Sequence, residues 1–551
     1  MPVRVNNLSA ARRPEKTTGV SRSLKNISVV AGATMVSRVL GLGRDILISA
    51  VFGTSALASS FVTAFTLPNL FRRLLGEGAL TAAFVPTLNE ELTERQRDGA
   101  FHLVSQVASW LLLVTAGLVG LSMWGLFHAD FWAACALDWG VSPDTTARWL
   151  TGAELAVVLF PYMIFVCLAA AFSAALQTLD RFLEPALSPI WLNLAMIGFL
   201  AGGAYLGWAD SDDGRMRWLC VGVLVGGFFQ MAVPAVALMR LGWRPACALR
   251  LSPQVRAIAA LMGPTVLGSA IYLINMAVSR VIGLSLNDAA ASVLNLATRL
   301  MELPIGVFAV AVSTVIFPLI TRHAAQGDWT SLASAYRKGM RLILVINIPA
   351  AVGLVVLAEP VIRLLFQRGA FRADDTALMV PVLAVYALGL PLFSFVTLVL
   401  RAFHAERDTR TPVHAAILSF AVNVGLSLAL MGPLSTIGLA VAGNAAIAVQ
   451  AWFLQSRLTA KRGIMAFGHL GPTLIRILIA AVVMGAVVAG SWRGLLALCG
   501  SGVLTDLLAL GVLIPLGIAV YGGLLWAMKI EGRQDLAAMI ERIRLRLWTA
   551  R

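Results

Sequence analysis

The chain has 551 residues, of which 59% are hydrophobic and only 13% are charged, and its formal net charge is +15. A soluble globular domain is about half apolar and about a quarter charged, so this composition excludes that class and predicts an all-α membrane protein with many spans. The excess of cations does not predict a nucleic-acid partner, because no basic stretch is interleaved with aromatic residues. Membrane topology explains the charge better.

The N-terminal part of the chain combines a basic tail with a long apolar run. Residues 1–25 carry several cations without apolar periodicity and predict a disordered cytoplasmic tail. The run that follows, 27–52, is longer than a signal-peptide core, contains Arg38 and lacks a small-residue cleavage site. We therefore interpret it as an uncleaved first span.

Apolar segments long enough to cross a bilayer recur along the whole chain. We predict about fourteen spans on this pattern. In chain order the segments are 27–52, 56–75, 102–127, 150–176, 186–207, 217–239, 257–285, 289–319, 339–365, 376–402, 412–431, 435–456, 472–492 and 505–528.

The connections between these segments alternate in charge. If the first span starts inside, the even-numbered connections are basic and the odd-numbered ones are short or acidic, such as 210–213. Lysine and arginine collect on the cytoplasmic side of membrane proteins, and this assignment places about thirty cations inside and about six outside. Both termini are therefore predicted to be cytoplasmic.

Weak internal repetition relates the two halves of the chain. A Leu-Pro pair followed by a second proline occurs at 67–86 and again at 303–318, and Phe-x-Ala before a proline occurs at 172–185 and 403–412. Both pairs join the second and fourth spans to the eighth and tenth. This constant offset of six favours two parallel six-helix lobes related by an axis along the membrane normal.

These observations predict five regions. They are a disordered basic tail over 1–25, an N-lobe over 26–241, a C-lobe over 255–458, two extra spans over 470–530, and an amphipathic cytoplasmic tail over 531–551. From position alone, the two extra spans are the hypothetical site of a groove for a lipid tail.

Residue patterns typical of enzymes and metal sites are missing. No GxSxG, HExxH, Walker A or GxGxxG pattern occurs in a credible context, the six histidines do not cluster, and the five cysteines show no CxxC pair. We therefore expect no catalytic residues, no metal and no cofactor.

Arginines inside the predicted spans are the strongest functional signal. An arginine at the centre of a bilayer costs about 2.5–3.5 kcal/mol on insertion scales, so such residues usually face a polar cavity. Arg38 and Arg299 lie deep in their spans, and Arg44 is similar, with Asp45 as its local partner. Several guanidinium groups with few acids select an anion of charge two or more, and they bind the paired oxygens of a diphosphate well.

For other arginines, snorkelling to an interface competes with a cavity role. The two interpretations stay open for Arg72 and Arg73, and snorkelling is favoured for Arg280, Arg363 and Arg476.

Several stretches resemble the MurJ (MviN) family. The clearest are 37–45 (SRVLGLGRD), 67–80 (LPNLFRRLLGEGAL), 83–86 (AFVP) and 299–307 (RLMELPIGV). That family consists of bacterial lipid II flippases of the multidrug/oligosaccharidyl-lipid/polysaccharide exporter superfamily. The resemblance implies fourteen transmembrane helices in the inner membrane, two lobes around a cationic cavity, and two last helices that form a groove for the undecaprenyl tail. It also implies alternating access supported by the membrane potential or an ion gradient, with cell-wall synthesis enzymes as further partners.

The resemblance also implies a set of site residues. The substrate-binding positions are Arg38, Arg44, Arg72, Arg73, Glu77 and Arg299, with Ser37, Asp45, Arg280 and Glu302 as secondary candidates. Two positions depart from the family pattern: Ser59 and Thr298 stand where an acidic residue is common. Their neutrality makes the cavity more positive and puts any ion coupling through those carboxylates in doubt.

Three alternatives remain at this point. One is a flippase for another undecaprenyl-diphosphate glycan or a multidrug exporter of the same superfamily, although an exporter of cationic drugs would need intramembrane acids. A membrane-bound glycosyltransferase would need catalytic acids on a sizeable outer domain, and the outer connections are short. A non-transporting scaffold would leave the cost of the intramembrane arginines unexplained.

Overall fold

The computed structural model describes residues 16–71, 80–306, 310–465 and 471–529. Regular secondary structure in these ranges is helical throughout, and they contain no strand. This confirms the predicted all-α class.

The helices of the N-lobe follow the order of the predicted segments. They are α1 Lys16–Phe52, α2 Ala56–Phe71, α3 Leu80–Glu94, α4 Gln96–Phe127, α5 Ala129–Asp138, α6 Pro143–Leu159, α7 Tyr162–Thr178, α8 Leu183–Tyr205 and α9 Asp212–Arg240.

The C-lobe and the terminal helices continue the series. The C-lobe helices are α10 Pro253–Leu286, α11 Ala290–Pro304, α12 Val310–Gln326, α13 Trp329–Val356, α14 Ala358–Phe366, α15 Ala373–Ala405 and α16 Arg410–Lys461. The terminal helices are α17 Gly471–Cys499, α18 Val503–Leu508 and α19 Ile514–Ala527, with a π-helical segment, Ala509–Leu513, between the last two.

Over its described residues, each predicted apolar segment coincides with one of these helices or with consecutive ones, as 150–176 does with α6 and α7. In the described ranges, eight helices are individually long and apolar enough to cross a membrane, or nine if the bent pair α6–α7 is one span. Helix α16 carries two predicted segments and breaks at Ser435, whose φ of 49° and ψ of −135° are not helical. The count of fourteen crossings stays a prediction.

The predicted tails are only partly described. Helix α1 begins at Lys16, so residues 16–25 of the predicted tail are helical, while the boundary between tail and N-lobe at residue 25 stays a prediction. The predicted amphipathic tail, 531–551, lies outside the described residues.

Local caps explain where several helices begin. The side chains of Ser142, Ser252 and Asp328 accept hydrogen bonds from backbone N–H groups in the first turns of α6, α10 and α13. Such caps satisfy donors that have no partner inside the helix. Pro143 and Pro253 occupy the first helical positions, where a missing N–H costs nothing.

The two repeats fold alike around their prolines. Pro68 lies inside α2 and Pro304 inside α11, each close to the end of its helix. Pro86 and Pro318 lie inside the helices that follow, α3 and α12. The helices of the second and eighth predicted spans therefore carry prolines in the same pattern.

We name the two ends of the bundle from the predicted topology. The outer end carries the turns 53–55, 139–142, 206–211, 287–289, 367–372 and 500–502; the inner end carries the turns 179–182, 241–252, 327–328 and 406–409.

Each lobe has its own apolar core, and the terminal helices pack on the C-lobe. The N-lobe core divides into an outer cluster around Leu219 and an inner one around Leu176. The terminal helices pack against α13, where the Tyr521 hydroxyl donates to the Val345 carbonyl at 2.8 Å. Most of each cluster comes from one lobe, although Val255 and Ile258 of α10 join the inner N-lobe cluster, and such a division lets the lobes move largely as units.

Candidate functional site

A cavity opens between the lobes, with about 870 Å³ of empty space including its mouth. Helices α1 and α2 of the N-lobe and α10 and α11 of the C-lobe form most of its wall. Among the described residues, the charged groups of this wall are Arg44, Asp45, Arg280, Arg299 and Glu302.

Arg44 and Asp45 form a buried ion pair on α1. The Arg44 side chain donates to Asp45 Oδ1 through Nε at 3.0 Å and Nη2 at 2.7 Å. Both side chains are about nine-tenths buried. The pair satisfies each charge inside the bundle, where an unpaired charge would be costly.

Asn193 of α8 fixes the orientation of Arg44. Its Oδ1 accepts from Arg44 Nη1 at 3.0 Å, and its Nδ2 donates to the Ser37 carbonyl at 3.2 Å. Ser37 thus contributes its backbone to the site. Asn193 was not among the predicted site residues; a polar amide within an apolar span was the available signal for its role.

Asp45 also reaches across to the C-lobe. Its Oδ2 lies 3.5 Å from Arg299 Nε, and Arg299 Nη1 lies 3.2 Å from Glu302 Oε2. The contact at 3.5 Å is an ion pair without the geometry of a hydrogen bond. Arg299 is 39% exposed and Glu302 44%. A carboxylate of α1 therefore joins an arginine on each lobe.

Arg38 lies at the same interface, one and a half turns before Arg44. A Cβ added at Gly306, at the end of the α11 segment, would lie 2.7 Å from Arg38 Nη1. Glycine at 306 thus leaves room for the guanidinium group. Arg38 itself is exposed, and no described residue forms an ion pair with it. The predicted residues Arg72, Arg73 and Glu77 lie outside the described residues.

Two arginines expected to snorkel have polar partners on other helices. Arg280 is 7% exposed, donates to the Ala291 carbonyl at 3.3 Å and to Asn295 Oδ1 at 3.1 Å, and lines the cavity. Arg363 binds the buried carboxylate of Asp506 at 3.3 Å, which ties the C-lobe to the terminal helices. Snorkelling was the wrong interpretation for Arg280, because its polar partners were not visible in the sequence. Arg363 lies beside the outer turns 367–372 and 500–502, so its expected place near an interface stays a prediction. Arg476 is exposed at the start of α17, as expected.

Ser59 and Thr298, the two neutral residues at positions where an acidic residue is common, form hydrogen bonds with backbone groups. Ser59 is fully buried, donates to the Asp288 carbonyl and accepts from the Ser292 N–H at 3.2 Å. Thr298 lines the cavity and donates to the Leu294 carbonyl of its own helix at 2.7 Å. Neither brings negative charge to the site.

The charges of the described wall leave the site cationic. Arg44, Arg280 and Arg299 face Asp45 and Glu302, and Arg38 of the same helix as Arg44 lies close to Gly306, just after α11. Arg299 and Arg38 are the exposed guanidinium groups, so they are the ones an anion entering the cavity would meet first. A planar guanidinium group can donate to two phosphate oxygens at once.

Comparisons with known proteins agree with this arrangement. A family model described as lipid II flippase MurJ matches residues 48–510. A probable lipid II flippase MurJ from Rhizobium meliloti is 34% identical over 511 residues, which covers 90% of this chain and 92% of that protein.

Solved structures show the same fold. A lipid II flippase MurJ in an inward closed conformation superposes with a TM-score of 0.74 and 25% identity, covering 92% of this chain and 99% of that one. An inward-facing multidrug resistance transporter of the MATE family has a TM-score of 0.61 at 15% identity, covering 80% of this chain and 99% of that one, and thus shares the fold. By sequence and by structure, the chain belongs to the MurJ family.

Proposed function

We propose that this protein moves lipid II, the undecaprenyl-diphosphate-linked disaccharide-pentapeptide, from the cytoplasmic to the periplasmic leaflet of a bacterial inner membrane. The observation that carries the proposal is the group of arginines between the lobes, two of which, Arg44 and Arg299, are joined through Asp45. The printed function of the relatives supports the substrate. Transport changes no covalent bond, so we assign no catalytic residue and no cofactor.

The headgroup binds by exchanging partners at Arg299. Its ion pair with Glu302 is more than a third exposed on both sides, and pairs of that kind are worth only about 0.2–1 kcal/mol. A diphosphate carries more charge than a carboxylate and accepts from both edges of the guanidinium fork. It therefore displaces the weak carboxylate partners, while the buried Arg44–Asp45 pair stays intact.

Separation of the lobes on one side and closure on the other then moves the headgroup across. The cavity wall is divided between α1–α2 of the N-lobe and α10–α11 of the C-lobe. Rocking of the lobes therefore increases the distance between the arginines that bind the diphosphate. Contacts weaken as the cavity opens outward, and the headgroup leaves. The lipid tail stays in the bilayer, with the terminal helices as its proposed guide.

The membrane potential is the proposed energy source. Moving one elementary charge through 100 mV is worth about 2.3 kcal/mol, and an inside-negative potential favours outward movement of an anion. A doubly charged diphosphate therefore gains free energy in the direction of transport. The cytoplasmic location of both termini and an association with cell-wall synthesis enzymes belong to the same proposal.

Reconstitution tests the proposal. The purified protein is placed in liposomes with labelled lipid II and, separately, with another lipid-linked glycan, and transfer between leaflets is scored under an imposed potential. Arg38→Ala and Arg299→Ala are expected to abolish transfer without affecting insertion. Arg476→Ala is the matched control, since it removes an exposed arginine far from the cavity. Full transfer by either cavity variant contradicts the assignment.

A further inference from the structure

The outer end of the cavity is closed by contacts between the lobes. The most extensive of them involve Arg148 in the second turn of α6, a residue that sequence analysis did not identify. A cation on the predicted outer side was the available signal, because lysine and arginine are scarce there.

The Arg148 side chain crosses from the N-lobe to the end of α10. Nε donates to the Leu284 carbonyl at 2.9 Å, Nη2 to the Ser285 carbonyl at 3.1 Å, and Nη1 lies 3.0 Å from Asp288 Oδ1. Nη2 also donates to Thr145 Oγ1 at 3.0 Å within the N-lobe. The side chain is only 11% exposed.

The chemistry of a helix end explains why an arginine suits this place. Helix α10 ends at Leu286, so the carbonyls of Leu284 and Ser285 are among the last four and have no partner within the helix. The negative end of the helix dipole adds to the attraction of a cation. One guanidinium group thus satisfies two free carbonyls and one carboxylate of the opposite lobe.

Neighbouring residues support the same contact. Trp149 Nε1 donates to Ser285 Oγ at 2.9 Å, and Thr145 Oγ1 donates to the Ser285 carbonyl at 3.1 Å. Together with Arg148 they make the first turns of α6 the N-lobe side of a clasp. We call these three residues and the segment 284–288 the Arg148 clasp.

A second clasp is related to the first by the internal repeat. There the turn after α1 contacts the start of α15: Thr54 donates to Asp375, and the Ala370 N–H donates to the Ala50 carbonyl at 2.8 Å. In the Arg148 clasp, the turn after α10 contacts the start of α6. The first predicted span, in the N-lobe, thus ends against the tenth span of the C-lobe. In the same way the seventh span, in the C-lobe, ends against the fourth span of the N-lobe.

We propose that Arg148 is the latch that holds the outer mouth of the cavity shut while the inner side is loaded. In the Arg148 clasp one guanidinium group makes three contacts with the opposite lobe, whereas the second clasp has one side-chain hydrogen bond, from Thr54 to Asp375, and one backbone hydrogen bond, so Arg148 contributes most to closure. The role in loading rests on the proposed function, but closure of the lobes by Arg148 does not.

Access of a thiol reagent from outside tests the latch without lipid II. In a background without native cysteines, Thr66→Cys places a reporter on the cavity wall. A membrane-impermeant charged reagent is added to spheroplasts, and the labelling rate is measured. Arg148→Ala is expected to raise the rate by about tenfold or more, because it removes charge-assisted hydrogen bonds between the lobes. Arg148→Lys should give a smaller rise, since a lysine keeps the charge but not the fork.

Controls separate the latch from a general loss of structure. Arg215→Ala removes another arginine of the outer end, which binds Asp212 at 2.9 Å within its own helix, and should leave the rate unchanged. Trp149→Phe keeps an aromatic ring but loses the hydrogen bond to Ser285, and should raise the labelling rate about threefold. If Arg148→Ala does not fold, Arg148→Lys and Trp149→Phe decide the question. Labelling no faster than in the parent for these variants overturns the latch, whatever the outcome of the lipid II assay.

Discussion

Neutralising Asp45 removes two contacts whose effects can be measured separately: the ion pair with Arg44 within the N-lobe and the contact with Arg299 between the lobes. In Asp45→Asn, the carboxylate that Arg44 and Arg299 share becomes an amide. The Arg44 part of the contact lies inside the N-lobe, so its loss lowers stability but does not favour one arrangement of the lobes. The Arg299 part joins the lobes, so its loss favours their separation.

The structure gives the size of each effect. Unit charges about 3.5 Å apart attract by about 5 kcal/mol at an effective dielectric constant of about 20. Arg299 is 39% exposed, and solvent screening together with the cost of desolvation reduces the net value to about 1 kcal/mol. That is about a fivefold shift in the ratio of closed to open lobes. Breaking the buried Arg44–Asp45 pair costs about 3 kcal/mol of folding stability.

Distances between spin labels on the two lobes measure the shift. Arg181 and Arg407 are exposed at the inner end of the N-lobe and C-lobe and can each be replaced by a labelled cysteine. Arg299→Gln should shift the distance populations as much as Asp45→Asn, but with little loss of thermal stability. The double variant should shift them no further. Additive shifts in the double variant would refute a direct Asp45–Arg299 contact.

Three further substitutions test other parts of the account. Gly306→Ala places a Cβ 2.7 Å from the guanidinium group of Arg38 and should reduce lipid II transfer at least about tenfold by displacing it, as the liposome assay would show. Glu406→Ala removes the carboxylate that pairs with Lys461 and Arg462 at the inner end; because these cations are 44% and 26% exposed, it should lower the free energy of unfolding by about 1 kcal/mol in thermal or denaturant titrations. Gly369→Ala introduces a Cβ 2.2 Å from the Ala50 carbonyl at a φ of +60° and should open the second clasp, which labelling of the Thr66→Cys reporter from outside would detect as a rate raised several-fold.

Matched controls accompany these substitutions. Gly263→Ala adds a Cβ with nothing within 4 Å, Gly140→Ala shares a positive φ (+84°) without a close contact, and Glu154→Ala removes an exposed acid. If Gly306→Ala transfers lipid II like Gly263→Ala, Arg38 does not need its observed position. If Gly369→Ala labels like Gly140→Ala, the second clasp does not close the mouth. A stability of Glu406→Ala equal to that of Glu154→Ala would show that the inner-end ion pairs contribute little.

Hydrophobic runs and their prolines were sufficient to predict most of the fold. A span is set by local composition, so the helices fall on the predicted segments, and Pro68 and Pro304 occupy similar places near the ends of their helices. The cost of burying arginine likewise pointed to the site, since it depends on residue type and depth alone.

The pairing of side chains between helices was not available from the sequence. Asp45 was expected to pair with Arg44 and was a secondary candidate for the site, but its contact with Arg299, on a helix far along the chain, was not predicted. Arg363 and Arg280 were expected to snorkel because their partners, Asp506 and Asn295, lie on other helices. Such contacts depend on how helices rotate and cross, which hydrophobic periodicity does not specify.

Protection of the cavity wall by lipid II tests the central claim most directly. Cysteines at Thr66 and Thr298 lie among the arginines without replacing them, and Leu112→Cys on the exposed face of α4 is the control. We expect a water-soluble thiol reagent to label both cavity positions, lipid II to slow that labelling, and Arg299→Ala to abolish the protection. Labelling at both cavity positions that lipid II leaves unchanged, in protein that still transfers lipid II, would contradict a headgroup site between these arginines.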